Sequence, residues 1–428
     1  LKPSTIIRIL RDKYFAKGLR RTYWDASAFA GETARLFRSR NSAFRRHVFR
    51  DYARFFFDSV RPIDTEAVER AHAAVAWLLR ALQASPDDGV ALGYFPCSRE
   101  GEAWKPSYPE TTGYIITSLL AFANRFGDDV ARNAALRMAR WEIDIQMASG
   151  AVQGGPVCPA DRQTPAAFNT GMVLDGWCSA YAVAREPGML AAARRAADFL
   201  VDDLGPDGYF RTNGAFVTAN EIKTYTCLCA WALYRFGELV DEARYIQAAL
   251  RSVEAALRQQ LGNGWFAHNC LARSDAPLTH TIGYTLQGVL EVGLLANRED
   301  FISAVRRSVD RLVPRIAKHG YLAGLYYADW EPAAFSSCLT GSAQIAVVCY
   351  RLHQKTAVDE YRRAADRLVN YLKALQALDS PLPAINGAIA GSFPLFGEYM
   401  RAGYPNWATK YFLDALLLQE RLSQYRIQ

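Results

Sequence analysis

The feature that most constrains this chain is a six-fold recurrence. A polar loop ends, usually in Thr or Asn, a glycine or other small residue sits nearby, and an apolar stretch begins. The copies are Thr112-Gly113-Tyr114, Thr170-Gly171-Met172, Lys223-Thr224-Tyr225, Ile282-Gly283-Tyr284, Thr340-Gly341-Ser342 and Asn406-Trp407-Ala408. Preceding them are amphipathic segments with charged backs: Ala67 to Gln83, Asp128 to Met147, Gly188 to Leu204, Asp241 to Leu261, Arg298 to Ile316 and Val358 to Leu375. Within these, Ile246, Leu250, Val253 and Leu257 share one helical face, as do Tyr361, Ala365, Leu368 and Leu372. Arg194-Arg195-Ala196-Ala197-Asp198 returns 168 residues later as Arg362-Arg363-Ala364-Ala365-Asp366, three periods of 56. Repeated units that cannot each cover their own apolar face must stack. Six of them predict an all-α ring with amphipathic outer helices and more continuously apolar inner ones.

Short turns opened by glycine follow the outer helices: Gly93-Tyr94-Phe95, Gly208-Tyr209-Phe210, Gly264-Trp265-Phe266 and Gly320-Tyr321-Leu322, with looser versions at Gly150 and Gly391. Glycine there ends the helix in a left-handed conformation. Inner-to-outer connections are a few residues long, whereas outer-to-inner ones run to roughly 20, beyond the usual loop length. The long loops therefore emerge on one face with the inner-helix N-termini, which is where function is expected, in a cavity.

The toroid is expected to span residues 64–428, preceded by a helical extension over 1–63. The chain carries a net charge of +7, but residues 1–63 hold 15 Lys or Arg against 5 Asp or Glu, a local net of +10. Phe44, Val48, Tyr52 and Phe56 recur every fourth position among the arginines. This extension reads as a collar packed on the ring, or as a handle for an acidic polymer, an anionic membrane surface or a protein partner. Nothing in it specifies nucleic-acid recognition. Cys178, Cys227, Cys229 and Cys349 lie in apolar stretches, as small hydrophobes rather than disulfide partners, which favours a reducing compartment. No apolar run is long enough to cross a membrane and no secretory leader is evident. A cytoplasmic location is expected, with the periplasm kept open because the chain begins at Leu1. No cofactor motif is present. His268, Cys270 and His280 suggest zinc weakly, without CxxC or HExxH spacing, so no metal is expected.

Six outer-inner pairs resemble the (α/α)6 toroids of six-hairpin glycosidases, polysaccharide lyases, sugar 2-epimerases and the terpenoid cyclase group. Thr279-His280-Thr281-Ile282-Gly283-Tyr284, Gly391-Ser392-Phe393-Pro394 and Tyr404-Pro405-Asn406-Trp407-Ala408 are similar to segments of a bacterial family associated with exopolysaccharide synthesis. The resemblance implies a polysaccharide or oligosaccharide substrate. A terpene cyclase would need a DxDD motif, and Val201-Asp202-Asp203-Leu204 sits at the end of an outer helix instead.

Glycoside hydrolysis needs two carboxyl groups across the scissile bond. Glu110, Glu221 and Glu398 stand just before or at inner-helix starts and are the catalytic carboxyl candidates; Asp329 and Glu331 are also on this face, and Asp175 lies further into the second inner helix. Each is equally explained as a carboxylate favoured by a helix dipole. Lyase or epimerase chemistry needs instead a His or Tyr base beside an amide or cation, and His280 and Tyr284, four apart, share a helix face. Candidate sugar contacts are Trp104, Asn169, Asp175, Trp265, His268, Asn269, Arg273, Trp330, Tyr399 and Trp407, with Tyr108, Tyr326 and Tyr327 as further flat faces. These residues together point to a glycosidic-bond-cleaving hydrolase or lyase. A sugar epimerase or isomerase, and a non-catalytic glycan-binding subunit, are the alternatives.

Overall fold

The amphipathic segments form helices whose small-residue stripes turn inward. A computed structural model describes residues 3–11, 30–31, 33–37, 42–98, 101–214, 221–271 and 275–424. After α1 (Pro3–Leu10) and α2 (Ser42–Phe56), the outer helices are α3 (Ala67–Gln83), α5 (Asp129–Asp144), α7 (Pro187–Asp203), α9 (Ala243–Leu257), α11 (Glu299–Leu312) and α13 (Asp359–Leu375). The inner helices are α4 (Pro109–Phe126), α6 (Ala167–Ala184), α8 (Leu228–Val240), α10 (Thr279–Leu295), α12 (Leu339–Thr356) and α14 (Asn406–Gln424). Each inner helix packs on the next, and α14 returns to α4, closing the (α/α)6 toroid. The inner-to-outer turns are tight because Gly127, Arg185, Asp241 and Ala357 adopt positive φ at the inner-helix ends. The third inner helix differs from its expected form by starting as a 3-10 turn, Thr224–Cys227.

The Thr-Gly repeat is a packing device. Thr112, Thr170 and Thr409 accept hydrogen bonds at 2.9–3.0 Å from the backbone N–H groups of Val90, Val152 and Ile389, pinning each rim turn to an inner helix. A Cβ on Gly113 would lie 2.6 Å from Val173 Cα, and one on Gly171 would lie 2.7 Å from Cys229, so these glycines let neighbouring inner helices touch.

The rim turns carry a second device. Gly150, Gly208, Gly264, Gly320 and Gly387 have positive φ, and a side chain on any of them would collide with the next outer helix, at Arg195, Arg251, Arg307, Arg367 and Ala73 respectively. In three of these turns a glutamine amide ties the same joint. Gln146 Nε2 donates to Gly150 and Ala192, Gln260 Nε2 to Gly264 and Ala304, and Gln376 Nε2 to Gly387 and Arg70. The sixth joint thus uses Gly387 rather than the expected Gly391, which lies against Met400 and Tyr399 in the following loop. Tyr245 donating to Asp198 and Tyr361 donating to Asp310, both at 2.7 Å, tie further outer pairs and explain the aspartate at the end of the first Arg-Arg-Ala-Ala-Asp copy.

Short strands trim the long-loop face: β1 (Gly93–Ser98) pairs antiparallel with β2 (Gly101–Trp104) and β5 (Tyr404–Pro405), and β3 (Ser337–Cys338) pairs with β4 (Ser392–Phe393). The N-terminal helices lie against this rim. Asp51 accepts from Leu395 N–H, His47 meets Tyr404 OH at 3.0 Å, and Arg54 donates to Ala374 O at 2.8 Å. The stripe on α2 is shorter than expected: Phe44 and Val48 are buried and Tyr52 half-buried, but Phe56 runs past the contact and is 73% exposed. On α1, Arg8 pairs with Asp329 and Thr5 donates to Glu331, so these two carboxylates hold the collar. No helix among the described residues is long and apolar enough to cross a membrane.

Candidate functional site

The first turns of the inner helices project side chains toward the ring axis. Tyr108 and Glu110 come from the start of α4, Tyr225 from the 3-10 turn before α8, His280 and Tyr284 from α10, Gln344 from α12, and Trp407 and Tyr411 from α14. Tyr399 enters from the preceding loop. The His280 ring centroid lies 4.3 Å from that of Tyr284 and 5.3 Å from that of Tyr399, and Trp407 Nε1 donates to Tyr399 OH at 2.9 Å.

Glu110 stands among these phenols. Burial raises its carboxyl to about 7, against a lowering hydrogen bond from Tyr108 OH at 2.8 Å. It bears electrostatically on Tyr114, Tyr225, Tyr284, Tyr399 and Tyr411, whose hydroxyls are raised chiefly by burial and further by this carboxyl. Glu221 bears on the same Tyr225 hydroxyl and forms an ion pair with Lys223 at 3.0 Å, the ammonium side chain being 3% exposed. Both carboxyl groups thus bear on one phenol, Glu110 from among the phenols and Glu221 from its pair with Lys223.

His280 is held by burial at about 4, against the raising effect of its hydrogen bond to Gln344. Gln344 Oε1 accepts from Nδ1 at 2.7 Å, which leaves Nε2 as the basic nitrogen of a neutral ring.

The remaining candidates are scattered. Trp104 packs between Trp77 and Tyr94 as a plug behind α3. Trp265 and Trp330 pack edge to face, both buried, and Trp330 Nε1 donates to Asn263 O, so they seal the rim. Asn169 Nδ2 donates to Gln153 O, and Asn269 Oδ1 accepts from Thr285, which leaves both engaged in the fold. His268 is exposed, with its carbonyl accepting from Thr224 N–H. Glu398 is exposed on the rim, its N–H donating to Ser336 Oγ. Arg273 lies outside the described residues.

Asp175 belongs to another place altogether. A cavity was expected on the long-loop face, but one of about 860 Å³ occupies the opposite half of the axis, running from Tyr114, Met172, Gln287 and Tyr411 to Arg125 and Arg421 at the C-terminal ends of α4 and α14. The reason is side-chain volume: phenols fill the N-terminal half, while α4 and α8 present Ala121 and Ala232 to the other. Around this cavity runs a polar girdle. Thr117 donates to Asp175 at 3.0 Å, Asp175 pairs with Arg235, and Arg351 grips Glu291 with two hydrogen bonds of 2.8 Å. Arg235 also feels Glu291, and Asp414 takes Ser118 at 2.6 Å and Lys410 at 2.7 Å. Thr117, Asp175, Arg235, Glu291, Arg351 and Asp414 recur 56 to 63 residues apart, one per inner helix. That spacing is the signal the sequence offers, and it is hard to see because each member lies well inside its helix rather than near a loop.

No family model matches the chain, and no curated protein matches it. Among solved structures, the chain is similar to the unsaturated glucuronyl hydrolase of Bacillus sp. GL1, responsible for the degradation of glycosaminoglycan (17% identity, TM-score 0.65, covering 84% of this chain and 97% of that one). It is also similar to a D-mannose isomerase (11%, TM-score 0.65, 84% and 98%) and to the cellobiose 2-epimerase of Bacillus thermoamylovorans B4167 (12%, TM-score 0.66, 83% and 97%). At these identities the likeness is one of fold, and the fold shared by all of them is the (α/α)6 toroid.

Proposed function

We propose that the protein is a carbohydrate-active enzyme that hydrolyses a glycosidic bond in a bacterial polysaccharide or oligosaccharide, in the line of exopolysaccharide metabolism. The observation that carries this reading is Glu110, a carboxyl raised to about 7 by burial and set among phenols at the axis. A carboxyl of that kind keeps its proton near neutral pH and can deliver it to a leaving oxygen. Glu221, ion-paired to Lys223 and bearing electrostatically on the same Tyr225 hydroxyl, is the candidate for the second carboxylate. Tyr399, Trp407 and Tyr108 pack beside them, the first two buried, so a sugar ring would meet these apolar faces only where the rings part to admit it. The solved structures of similar fold, a glucuronyl hydrolase, a mannose isomerase and a cellobiose epimerase by name, support a sugar as the substrate class.

The test is incubation with acidic and neutral bacterial polysaccharides and their oligosaccharides, following reducing ends and the ultraviolet absorbance of unsaturated uronates together. New reducing ends without absorbance are expected. Glu110→Gln should lower turnover by about 10²–10⁴-fold. Unchanged turnover in both Glu110→Gln and Glu221→Gln would remove this assignment.

A second reading rests on His280. Its neutral ring, with Nδ1 held by Gln344 and Tyr284 alongside, is equipped to take a proton next to a carbonyl, as a sugar epimerase, isomerase or lyase must. Product of unchanged chain length and lost in His280→Ala would favour epimerisation. Absorbance appearing with the new ends would favour a lyase.

A further inference from the structure

The cavity at the C-terminal ends of the inner helices is built like a binding site and plays no part in the chemistry assigned to Glu110. Its girdle carries Asp175 and Glu291, each 7% exposed, and Asp414, and each of these carboxylates already holds a cation, Arg235, Arg351 and Lys410 respectively. Lys410 Nζ also lies over the rings of Tyr411 and Tyr114, 4.1 and 4.9 Å from their centroids, forming the floor that separates the cavity from the Glu110 cluster. The side-chain oxygen of Gln287, a lining residue 5% exposed, has no hydrogen-bond partner. Between the charges, Leu228, Trp231, Val347 and Leu417 make an apolar wall.

This lining selects by elimination. A cationic ligand would have to displace Arg235, Arg351 or Lys410 from carboxylates that already hold them. An anionic ligand would meet Asp175, Glu291 and Asp414, while the lining cations Arg351, Lys410 and Arg125 are already held by Glu291, Asp414 and Glu420, and Arg421 is exposed in the last turn of α14. A purely apolar ligand would strip water from the ion pairs and give nothing back. A neutral molecule with several hydroxyls satisfies the site without breaking a pair: its O–H groups donate to carboxylate lone pairs left over by the pairing and accept from the remaining Arg and Lys N–H groups. Its ring face can lie on Trp231, and the volume falls within the range of small-molecule sites.

We propose that this cavity is a second ligand site, on the opposite side of the Tyr114–Tyr411 floor from Glu110, for a neutral, hydroxyl-rich molecule of monosaccharide to disaccharide size. The assignment rests on the girdle and is independent of what Glu110 does.

The experiment uses the full chain with indole-¹⁵N-labelled tryptophan, the Trp231 resonance being identified by its loss in Trp231→Phe. Glucose, cellobiose and myo-inositol are titrated in turn, with glucuronate as the charged comparison. A saturable shift of the Trp231 resonance with at least one neutral probe is expected, with glucuronate about tenfold weaker or worse. Ala121→Trp, which fills the cavity from an exposed position and removes no ion pair, should abolish the shift. Glu110→Gln should leave it in place, which separates this site from the first. A Trp231 resonance that moves with none of the neutral probes overturns the proposal, as does a shift that survives in Ala121→Trp or one that glucuronate produces more strongly.

Discussion

The protonated state of Glu110 can be tested without a substrate, through stability. In the native protein burial raises its carboxyl from 4.5 to about 7. Between those values the native state keeps a proton that the unfolded chain gives up. Raising the pH through this window therefore favours the unfolded chain, at about 1.4 kcal/mol per pH unit for one group. Over the window the wild type should lose about 3 kcal/mol relative to Glu110→Gln, whose amide does not titrate. Below the window both forms are uncharged and their difference is constant; above it the difference is constant again at its larger value. Asp51, raised to about 7 chiefly by burial, tilts both proteins alike and drops out of the comparison. Urea denaturation of the two proteins at about pH 4.5, 5.5, 6.5 and 7.5 reads the difference directly. A difference that stays flat from the lowest to the highest pH means that native Glu110 titrates as it does in the unfolded chain and is ionised near neutral pH, and the general-acid role fails with it.

Other consequences of the structure are open to similar measurements. Glu142 on α5 is fully buried, both carboxyl oxygens lack partners, and burial with the nearby Asp87 holds its carboxyl well above the usual range; Glu142→Met should raise stability by about 1–3 kcal/mol in urea melts, and a loss would show that the carboxyl is satisfied. Gln260→Ala removes the hydrogen bonds to Gly264 and Ala304 that tie one outer-ring joint, with those to Ser308 and Arg307 beside them, and should cost about 1–3 kcal/mol, an unchanged urea midpoint arguing against the clamp. Gly387→Ala places a Cβ at φ +91° against the Ala73 carbonyl and should cost about 3 kcal/mol or more, read from the same denaturation curves. On an identified substrate, kcat/KM should fall about tenfold per pH unit above about pH 7 as Glu110 loses its proton, and a profile flat to higher pH would exclude it as the acid.

The toroid was legible because its repeat is enforced by backbone contact. A glycine such as Gly113 or Gly171 cannot be replaced where two inner helices touch, so the spacing of these residues reports the packing directly. The collar's direction of packing was legible in Phe44 and Val48, but the end of the stripe was not, since periodicity continues along α2 after the surface beneath it has ended. At the axis, Glu110, His280 and Tyr284 could be picked out because position in the first turn of an inner helix implies direction. Whether an aromatic on the long-loop face meets ligand or core is decided by its neighbours in space. Trp265 and Trp330 seal each other, while Tyr399 reaches the axis, and nothing local in the sequence separates the two cases. The cavity at the other end of the axis was invisible for a related reason: Asp175 and Glu291 each look like one isolated charge in an apolar helix until the ring brings Arg235 and Arg351 round, and Asp414, beside Lys410 on its own helix, looks like an ordinary surface pair until the ring brings Ser118 to it.

The joint at Gly387 has a consequence for how the chain is threaded. Gln376 and Gly387 of the last hairpin grip Arg70 and Ala73 of the first as Gln260 and Gly264 grip the hairpin after theirs. On the short-turn face, residues 64–69 at the start of α3 and Gln419 to Ser423 near the end of α14 line one surface hollow, where elsewhere an inner helix turns into an outer one. The wheel thus has no privileged spoke. A circular permutant of residues 64–424, with the N-terminal collar left off, that bridges this gap with a few residues and opens the chain at Arg185 to Pro187 should assemble the same ring, its new ends lying where Gly127, Asp241 and Ala357 make equivalent turns.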